Sequence, residues 1–157
     1  PCLDAAQKED MRNSLFSRPD PFLCWIGEIN PRKNVSCLFQ IIKELKSRGF
    51  PNLRLVLMGQ KGYNADHDLA LANELGLKMA LYQPGEPQSD ADIVLTGFIP
   101  DQTKKQILAA AEILVFPSLD EGFGYPVLEA MAAGIPVVCS NQGSLPEIAA
   151  DAAWVVP

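Results

Sequence analysis

Apolar runs and amphipathic segments alternate along the whole chain, and this alternation predicts an α/β fold with a doubly wound parallel sheet covered by helices on both faces. The apolar run at residues 22–27 is continuous, which is typical of a strand buried on both faces. Three of the runs are closed by a glycine, at Gly27, Gly59 and Gly97. Ligands of such sheets bind beyond the carboxyl ends of the strands, so we expect the site in the loops that begin there.

The first segment is predicted to be a short lead-in helix. Residues 4–16 mix charged residues with spaced apolar side chains, and Pro19 and Pro21 end the segment. We therefore expect residues 1–19 to form a lead-in helix and linker, and residues 20–157 to form the domain.

The remaining elements follow from periodicity and end signals. Residues 34–47 carry apolar side chains at helical spacing. Asp101 is the expected N-cap of one later helix, and Ser144 with Glu147 predicts a capping box on another. We expect residues 77–92, which contain Pro84, Gly85 and Pro87, to be less regular. Further strands are predicted at residues 53–58, 93–96, 113–116, 136–139 and 154–156, and further helices at residues 66–75, 101–111, 126–133 and 144–149.

The composition excludes several classes of protein. A chain of 157 residues that is 48% hydrophobic indicates one folded domain. Its formal net charge of −6 argues against nucleic acid and against an anionic membrane surface, because both attract clustered Lys and Arg. No apolar run is long enough to span a bilayer. The cysteines form no CxxC pair, so we interpret them as reduced thiols of a cytoplasmic protein and not as zinc ligands. They are Cys2, Cys24, Cys37 and Cys139.

The loop at residues 117–125 has the features of an anion site. It follows a predicted strand, contains two glycines and leads into a helix with Pro126 in its first turn. Glycines permit close approach of a ligand, and the free N–H groups of a helix start suit a phosphate. Glu129 can accept hydrogen bonds from a ribose diol, and Glu121 from sugar hydroxyls. Taken alone, both glutamates could equally be solvated surface acids.

The pattern around these glutamates favours the functional interpretation. The sequence EGFGYPVLEAMAAGIPVV, residues 121–138, resembles without gaps the E-x7-E signature of the GT-B glycosyltransferases, in particular the large retaining family that includes bacterial mannosyl- and glucosyltransferases. Residues 140–147 resemble that family's S…GSLPE segment. The resemblance covers about residues 20–157 and implies a Rossmann-like fold, the C-terminal half of a GT-B architecture. Here it implies Glu121 as a catalytic residue and, as donor-binding residues, Gly122, Phe123, Gly124, Tyr125, Val127 and Glu129.

The second constellation is GEINPRKN, residues 27–34. A lysine beside the carboxyl end of a strand can reach a diphosphate as a point charge, although a solvated basic turn is the alternative. In the family, an Arg directly after the Gly and a Lys a few residues later contact the donor diphosphate. Lys33 matches that Lys and is expected to be catalytic, with Arg32 and Gly27 among the donor-binding residues. Glu28 occupies the Arg position, so its carboxylate must turn away or Arg32 must compensate.

Two other strand-end loops resemble the family. Residues 59–62 match a Gly-containing loop near the donor. Residues 96–100 match the segment whose backbone seats the base, which adds Phe98 and Ile99 to the expected donor-binding residues. We interpret His67, the only histidine of the sequence, as a solvated side chain.

The resemblance implies a retaining transfer from a nucleoside diphosphate sugar, with GDP-mannose favoured and a UDP-sugar next. It implies a separate N-terminal domain with the acceptor site, of which this chain carries no trace, so we expect a fragment that holds the donor and is inactive alone. No cofactor and no protein-held metal is expected, since the strand-end loops offer no DxD-like cluster. We expect a cytoplasmic protein that reaches the inner face of a membrane only through the absent domain.

Three alternatives stay open. A nicotinamide- or flavin-binding domain would carry GxGxxG after its first strand, whereas Gly122-x-Gly124-x-x-Val127 comes late and ends in Val. A GT-B-fold sugar-nucleotide epimerase would share the fold. A nucleotide-binding module that has lost catalysis is favoured by Glu28.

Overall fold

The computed structural model describes residues 3–86 and 90–157. Seven strands in these residues form one sheet: β1 (Phe22–Ile26), β2 (Arg54–Met58), β3 (Met79–Leu81), β4 (Ile93–Gly97), β5 (Ile113–Phe116), β6 (Val137–Ser140) and β7 (Trp154–Val156). The α-helices are α1 (Ala5–Leu15), α2 (Val35–Ser47), α3 (Ala65–Glu74), α4 (Asp101–Ala110), α5 (Tyr125–Ala132) and α6 (Leu145–Ala149). A 3₁₀ turn, Pro31–Lys33, comes before α2.

The sheet confirms the predicted fold class. Its strand order is β3-β4-β2-β1-β5-β6-β7, and all neighbouring strands are parallel. The chain builds outward from β1 towards one edge and then from β5 towards the other. Because parallel crossovers are right-handed, these two directions place their helices on opposite faces. Accordingly α2 contacts α3, while α1 contacts α4 and α5 contacts α6. The reversal leaves a crevice at the carboxyl ends of β1 and β5, where ligands of such folds bind.

The central strands explain why the sequence pattern is so clear. Every residue of β1 and of β2 is buried, because helices cover both faces of the sheet there. The start of β2 is held by Arg54, a nearly fully buried guanidinium that donates to Asp20 Oδ2 at 2.8 Å and to the carbonyl oxygen of Ala91 at 3.0 Å. These hydrogen bonds lie at the amino ends of the strands, opposite the edge of the sheet at which ligands are expected to bind.

The lead-in helix packs on the domain. Leu15 and Phe16 are buried in the core. The Arg12 guanidinium reaches the end of α4, where it donates to the carbonyl oxygen of Ala110 at 3.0 Å and pairs with Glu112 at 2.6 Å. The boundary at residue 19 stays a prediction.

One strand was not predicted, and two local predictions were wrong. The segment at residues 77–92 contains β3, an edge strand whose three residues are all partly exposed, so no apolar run marks it. Residues 87–89 of that segment, like Cys2, lie outside the described residues. Asp101 is the first helical residue of α4, and Pro100 is the N-cap. Ser144 makes no side-chain cap on α6, because its hydroxyl donates to the carbonyl oxygen of Glu121 at 3.3 Å.

The thiols of the described residues are all free. Cys24 and Cys139 are buried, and Cys37 is partly buried. Burial raises the pKa of each of these three thiols. A thiol in such surroundings behaves as a small apolar side chain, as its place in an apolar run predicts.

The glycine that ends β2 is expected to be one of the least replaceable residues. Gly59 has φ +149°, and a Cβ built on it would overlap the carbonyl oxygen of Gly27 in the adjacent loop. Gly59→Ala should therefore lower the free energy of unfolding by at least about 3 kcal/mol. Gly76→Ala is the matched control, since Gly76 also has positive φ, +72°, but faces open space. It should cost only about 1–2 kcal/mol. Urea unfolding measures both, and equal losses would contradict the steric argument.

Candidate functional site

The loops after β1 and β5 are joined into one surface. The backbone N–H of Leu119 donates to the carbonyl oxygen of Arg32 at 2.8 Å. The side-chain amide of Asn34 donates to the carbonyl oxygen of Pro117 at 3.2 Å. Because β1 and β5 are neighbours in the sheet, these bonds close the floor of the crevice. The two candidate segments found in the sequence, residues 27–34 and 117–125, therefore lie side by side.

The residues predicted to be catalytic are in direct contact. Lys33 Nζ forms an ion pair with Glu121 Oε1, and the two side chains are 13% and 9% exposed. The Ser118 hydroxyl donates to the same carboxylate oxygen at 3.2 Å. Lys33 Nζ also lies 5.5 Å from the centroid of the Phe116 ring, within cation–π range. The lysine is thus held at the crevice floor with its charge largely shielded from water.

The glycine loop presents free donors beside this pair. Gly124 is the N-cap of α5 with φ +80°, and a Cβ there would lie 2.7 Å from Leu145 Cδ2, so the position requires glycine. Gly122 has no such requirement, because its φ is not positive and it faces open space. The N–H groups of residues 122–124 donate to no acceptor within residues 3–86 and 90–157. They are available to an anion at the start of α5.

The loop after β6 supports Glu121 from behind. The backbone N–H of Ser144 donates to the carbonyl oxygen of Glu121 at 3.2 Å. Gly143, with φ +55°, lies so close that a Cβ would overlap the Glu121 backbone. Ser140 donates its hydroxyl to the carbonyl oxygen of Ser118 at 2.5 Å. The sequence analysis matched residues 140–147 to a segment of the family but missed this supporting role, which depends on contacts between distant segments.

Only one of the two carboxylate oxygens of Glu129 accepts a hydrogen bond within the described residues. Lys104 Nζ donates to its Oε1 at 2.9 Å and also lies 3.1 Å from Asp101 Oδ1. The other oxygen of Glu129, Oε2, is buried and has no hydrogen-bond partner among the described residues. Partial burial lowers the pKa of Lys104, but its hydrogen bonds to Glu129 and Asp101 outweigh this and raise the pKa above its ordinary value. Lys104 was missed in the sequence, where it is one of several polar residues at a helix start.

A cavity of about 400 Å³ has Lys104, the partner of this carboxylate, in its wall, although Glu129 itself does not line it. The cavity lies at the carboxyl ends of β1, β2 and β4. Two of the expected base-seating residues line it: Phe98 is 81% exposed, and Ile99 is partly buried against the core. Gly27 and Gly59 form the part of the wall nearest the sheet. The walls of the cavity are mainly apolar, and the polar residues in its lining are Glu28, Gln60, Asp101 and Lys104, a mixture that suits a nucleoside.

The aromatic residues of the glycine loop face outward, while Val127 does not. Phe123 and Tyr125 are exposed and contact each other, with ring centroids 4.6 Å apart. Val127 is fully buried in the core, and its N–H donates to the carbonyl oxygen of Gly124 at 3.0 Å. Neither its side chain nor its N–H is available to a ligand, so Val127 contributes packing.

Glu28, which stands where the family has an Arg, is held away from Lys33. Its side chain lies directly against Gly62, and the Asn30 amide donates to its Oε1 at 3.3 Å. The carboxylate is thereby held on the β2 side of β1, whereas Lys33 lies on the β5 side. Arg32 is exposed and lies 3.8 Å from Asp120 in the neighbouring loop, a surface pair of little energetic weight.

The Asp90-Ala91-Asp92 sequence lies at the other end of the sheet. Asp90 pairs with Arg54 at 2.7 Å, and Asp92 pairs with Lys46 at 2.9 Å. Within residues 3–86 and 90–157, no group of three or more His, Cys, Asp or Glu is placed to hold a metal ion. No helix of these described segments has the length and apolar character needed to cross a membrane.

Comparison with known proteins agrees with this geometry. Residues 6–157 match the model of the family described as "Glycosyl transferases group 1". The O-antigen chain mannosyltransferase B of Escherichia coli is 37% identical over 135 residues, which is 85% of this chain and 32% of that protein. The serotype-specific mannosyltransferase WbdA of Escherichia coli is 31% identical over 145 residues, which is 92% of this chain and 16% of that protein. The chain thus spans about a third or less of these relatives.

A solved structure shows the same fold. The C-terminal domain of the glycosyl transferase group 1 family protein LpcC of Francisella tularensis superimposes with a TM-score of 0.73 at 24% identity. The match covers 99% of this chain and 75% of that one. Together with the family match, this makes the chain a member of the group 1 family of glycosyl transferases, with the Rossmann-like fold of the C-terminal GT-B domain.

Proposed function

We propose that this chain is the donor-binding domain of a retaining glycosyltransferase and that it holds a nucleoside diphosphate sugar in the crevice between the loops after β1 and β5. The observation that carries the proposal is the buried, unpartnered Oε2 of Glu129, whose carboxylate is paired with Lys104 in the wall of a nucleoside-sized cavity. A buried acceptor without a donor is unfavourable by about 1–3 kcal/mol, so a ligand hydroxyl that donates to it recovers that cost.

The diphosphate is proposed to lie on the glycine loop. The free N–H groups of residues 122–124 and the positive end of the α5 dipole would bind its oxygens, with Lys33 as the adjacent positive charge. The Lys33–Glu121 pair fixes the ammonium there before any ligand arrives. Arg32 is free to swing towards the anion, because its contact with Asp120 is long and exposed.

The nucleoside is proposed to lie between Glu129 and the β4 loop. The ribose diol would donate to Glu129, and the base would enter the cavity beside Phe98 and Ile99. Backbone groups around these residues would read the base. Glu28, restrained by Asn30 and Gly62, would not contact the diphosphate.

During transfer, negative charge develops on the leaving diphosphate as its bond to the anomeric carbon breaks. Lys33 and the loop amides would stabilise that charge, and such electrostatic stabilisation is usually the largest single contribution to catalysis. Glu121 would accept hydrogen bonds from the sugar hydroxyls. The acceptor, held by an N-terminal domain of a longer chain, would supply the hydroxyl whose oxygen bonds to the anomeric carbon and whose proton passes to the leaving diphosphate. No protein-held metal is required in this scheme.

The donor is proposed to be GDP-mannose, with a UDP-sugar as the alternative. Two Escherichia coli relatives at 31–37% identity are mannosyltransferases, one named for the O-antigen chain and one as serotype-specific. We therefore propose that the longer protein adds mannose to a cell-surface polysaccharide.

Thermal unfolding of the chain with GDP, UDP, ADP and NADH tests this function. A ligand at about 100 times its dissociation constant adds roughly 2.7 kcal/mol. For this chain length, that should raise Tm by roughly 5–10 °C. We expect the rise with GDP and a smaller one or none with ADP and NADH. A rise with NADH alone, or with none of the four, would overturn the proposed function.

A further inference from the structure

A lysine on a different helix engages the carboxylate that we assign to the ribose. Lys104 belongs to the first turn of α4, and Glu129 belongs to α5, one turn from its start. The Nζ–Oε1 distance of 2.9 Å is that of a charge-assisted hydrogen bond. The contact joins two helices that follow different strands, β4 and β5, at the ligand edge of the sheet.

The contact is selective for one carboxylate oxygen. Lys104 occupies Oε1, whereas Oε2 is buried and without a partner in the described part of the chain. A glutamate carboxylate that is bonded at one oxygen has its terminal rotation restricted, so the second oxygen keeps a fixed direction. Lys104 itself is held by Asp101 Oδ1 at 3.1 Å, so the lysine has little freedom to release the carboxylate.

Lys104 lies between the cavity proposed for the base and the Glu129 carboxylate proposed for the ribose. The residue lines the cavity together with Phe98, Ile99 and Asp101, and its ammonium contacts Glu129. An ordinary surface pair would lie outside the cavity and leave no buried acceptor beside it. Lys105, by contrast, does not line the cavity, and its pair with Asp101 at 2.5 Å has side chains that are 53% and 61% exposed.

We infer that Lys104 is a positioning residue that holds Glu129 so that its free oxygen accepts from the ribose diol, and that Lys104 thereby sets the preference for ribonucleotides over nucleotides without the diol. This inference rests on the proposed function, because it takes Glu129 as the ribose-binding group. In this arrangement Lys104 acts through Glu129 and makes no bond to the ligand.

Calorimetric titration of the chain tests the inference. The probes are GDP and 2′,3′-dideoxy-GDP, with UDP and 2′,3′-dideoxy-UDP as the second pair. The quantity compared is the ratio of the dideoxy Kd to the ribose Kd. In the unaltered chain we expect a ratio of roughly tenfold or more, the size of a hydrogen bond to a charged group. Lys104→Met should reduce this ratio towards the value of Glu129→Gln.

Two variants separate positioning from general effects. Lys104→Arg keeps a donor to Glu129 and should retain most of the ratio. Lys105→Met removes the other lysine that pairs with Asp101 and should leave the ratio unchanged. A ratio is insensitive to a uniform loss of affinity, so a merely structural role of Lys104 would not move it.

The outcomes distinguish the inference from the proposed function. If the unaltered chain shows the preference and Lys104→Met keeps it in full, the inference is wrong and the donor site stands. If the unaltered chain binds GDP or UDP without any preference for the diol, the role of Glu129 fails and the inference falls with it. If it binds neither nucleotide, the proposed function itself is overturned.

Discussion

Replacing Lys33 with Met should lower the turnover of the proposed longer glycosyltransferase by roughly 100- to 1,000-fold, the cost of removing one fixed donor to a developing negative charge. The reason lies in the placement of the ammonium, which is 13% exposed, paired with Glu121 and adjacent to the free amides of residues 122–124. The effect should fall on kcat, because the charge is greatest in the transition state. Initial rates with saturating donor measure it.

The control is a lysine in a similar environment at the other end of the sheet. Lys46 pairs with Asp92 at 2.9 Å, and each side chain is 17% exposed. Lys46→Met should leave turnover nearly unchanged, although both variants lose a shielded ion pair and some stability. Unfolding curves of the two variants allow the rates to be compared at equal folded fractions. Turnover of Lys33→Met within threefold of the unaltered enzyme would refute the role of Lys33.

Glu129→Gln should weaken the binding of GDP by roughly 10- to 100-fold, since hydrogen bonds to a charged group contribute about 1.5–3 kcal/mol. Gln keeps the shape of the side chain but lacks the negative charge that both Lys104 and the ribose hydroxyls would address. Calorimetric titration of the chain gives the two Kd values directly.

Glu112→Gln is the matched control for this change. Glu112 also pairs with a cation, Arg12 at 2.6 Å, but lies at the amino end of β5, away from the crevice. Its replacement should leave the Kd for GDP unaltered. Equal Kd values for Glu129→Gln and the unaltered chain would show that the buried Oε2 has no part in nucleotide binding.

Much of the fold could be predicted because the central strands are buried on both faces. Such strands are continuous apolar runs, and glycines mark several of their ends. The predicted strand at residues 113–116, for example, coincides with β5. The short edge strand β3 escaped prediction for the opposite reason, since all three of its residues are partly exposed. The strand order was not predicted, because crossover chirality fixes the face on which each helix lies and not the order of the strands.

The signals for helix ends were less reliable because other hydrogen bonds and ion pairs engage the side chains that were expected to cap the helices. The sequence around Ser144 has the spacing of a capping box, yet the Ser144 hydroxyl donates to the carbonyl oxygen of Glu121. Asp101 has the side chain of an N-cap, but it lies inside α4 and pairs with Lys104 and Lys105. A local rule cannot anticipate the partner of Ser144, which comes from another loop, whereas the partners of Asp101 lie in its own helix.

The same limit applies to the candidate site. Predicted residues from the first and fifth strand-end loops do meet, as the contact between Lys33 and Glu121 shows. The engagement of Glu129 by Lys104 joins positions 25 residues apart on two helices, so no spacing rule predicts it. Val127 falls within the motif but belongs to the core, because helix α5 turns that position towards the sheet.

The proposal that this crevice holds a nucleoside diphosphate is tested most directly by isotope-edited amide NMR spectra of the chain during titration with GDP. We expect saturable shifts to be largest at the amides of residues 122–124 and at Gly27, with further shifts around Phe98. Saturable shifts confined to the amino ends of the strands, or no shifts in a folded chain at millimolar GDP, would contradict it.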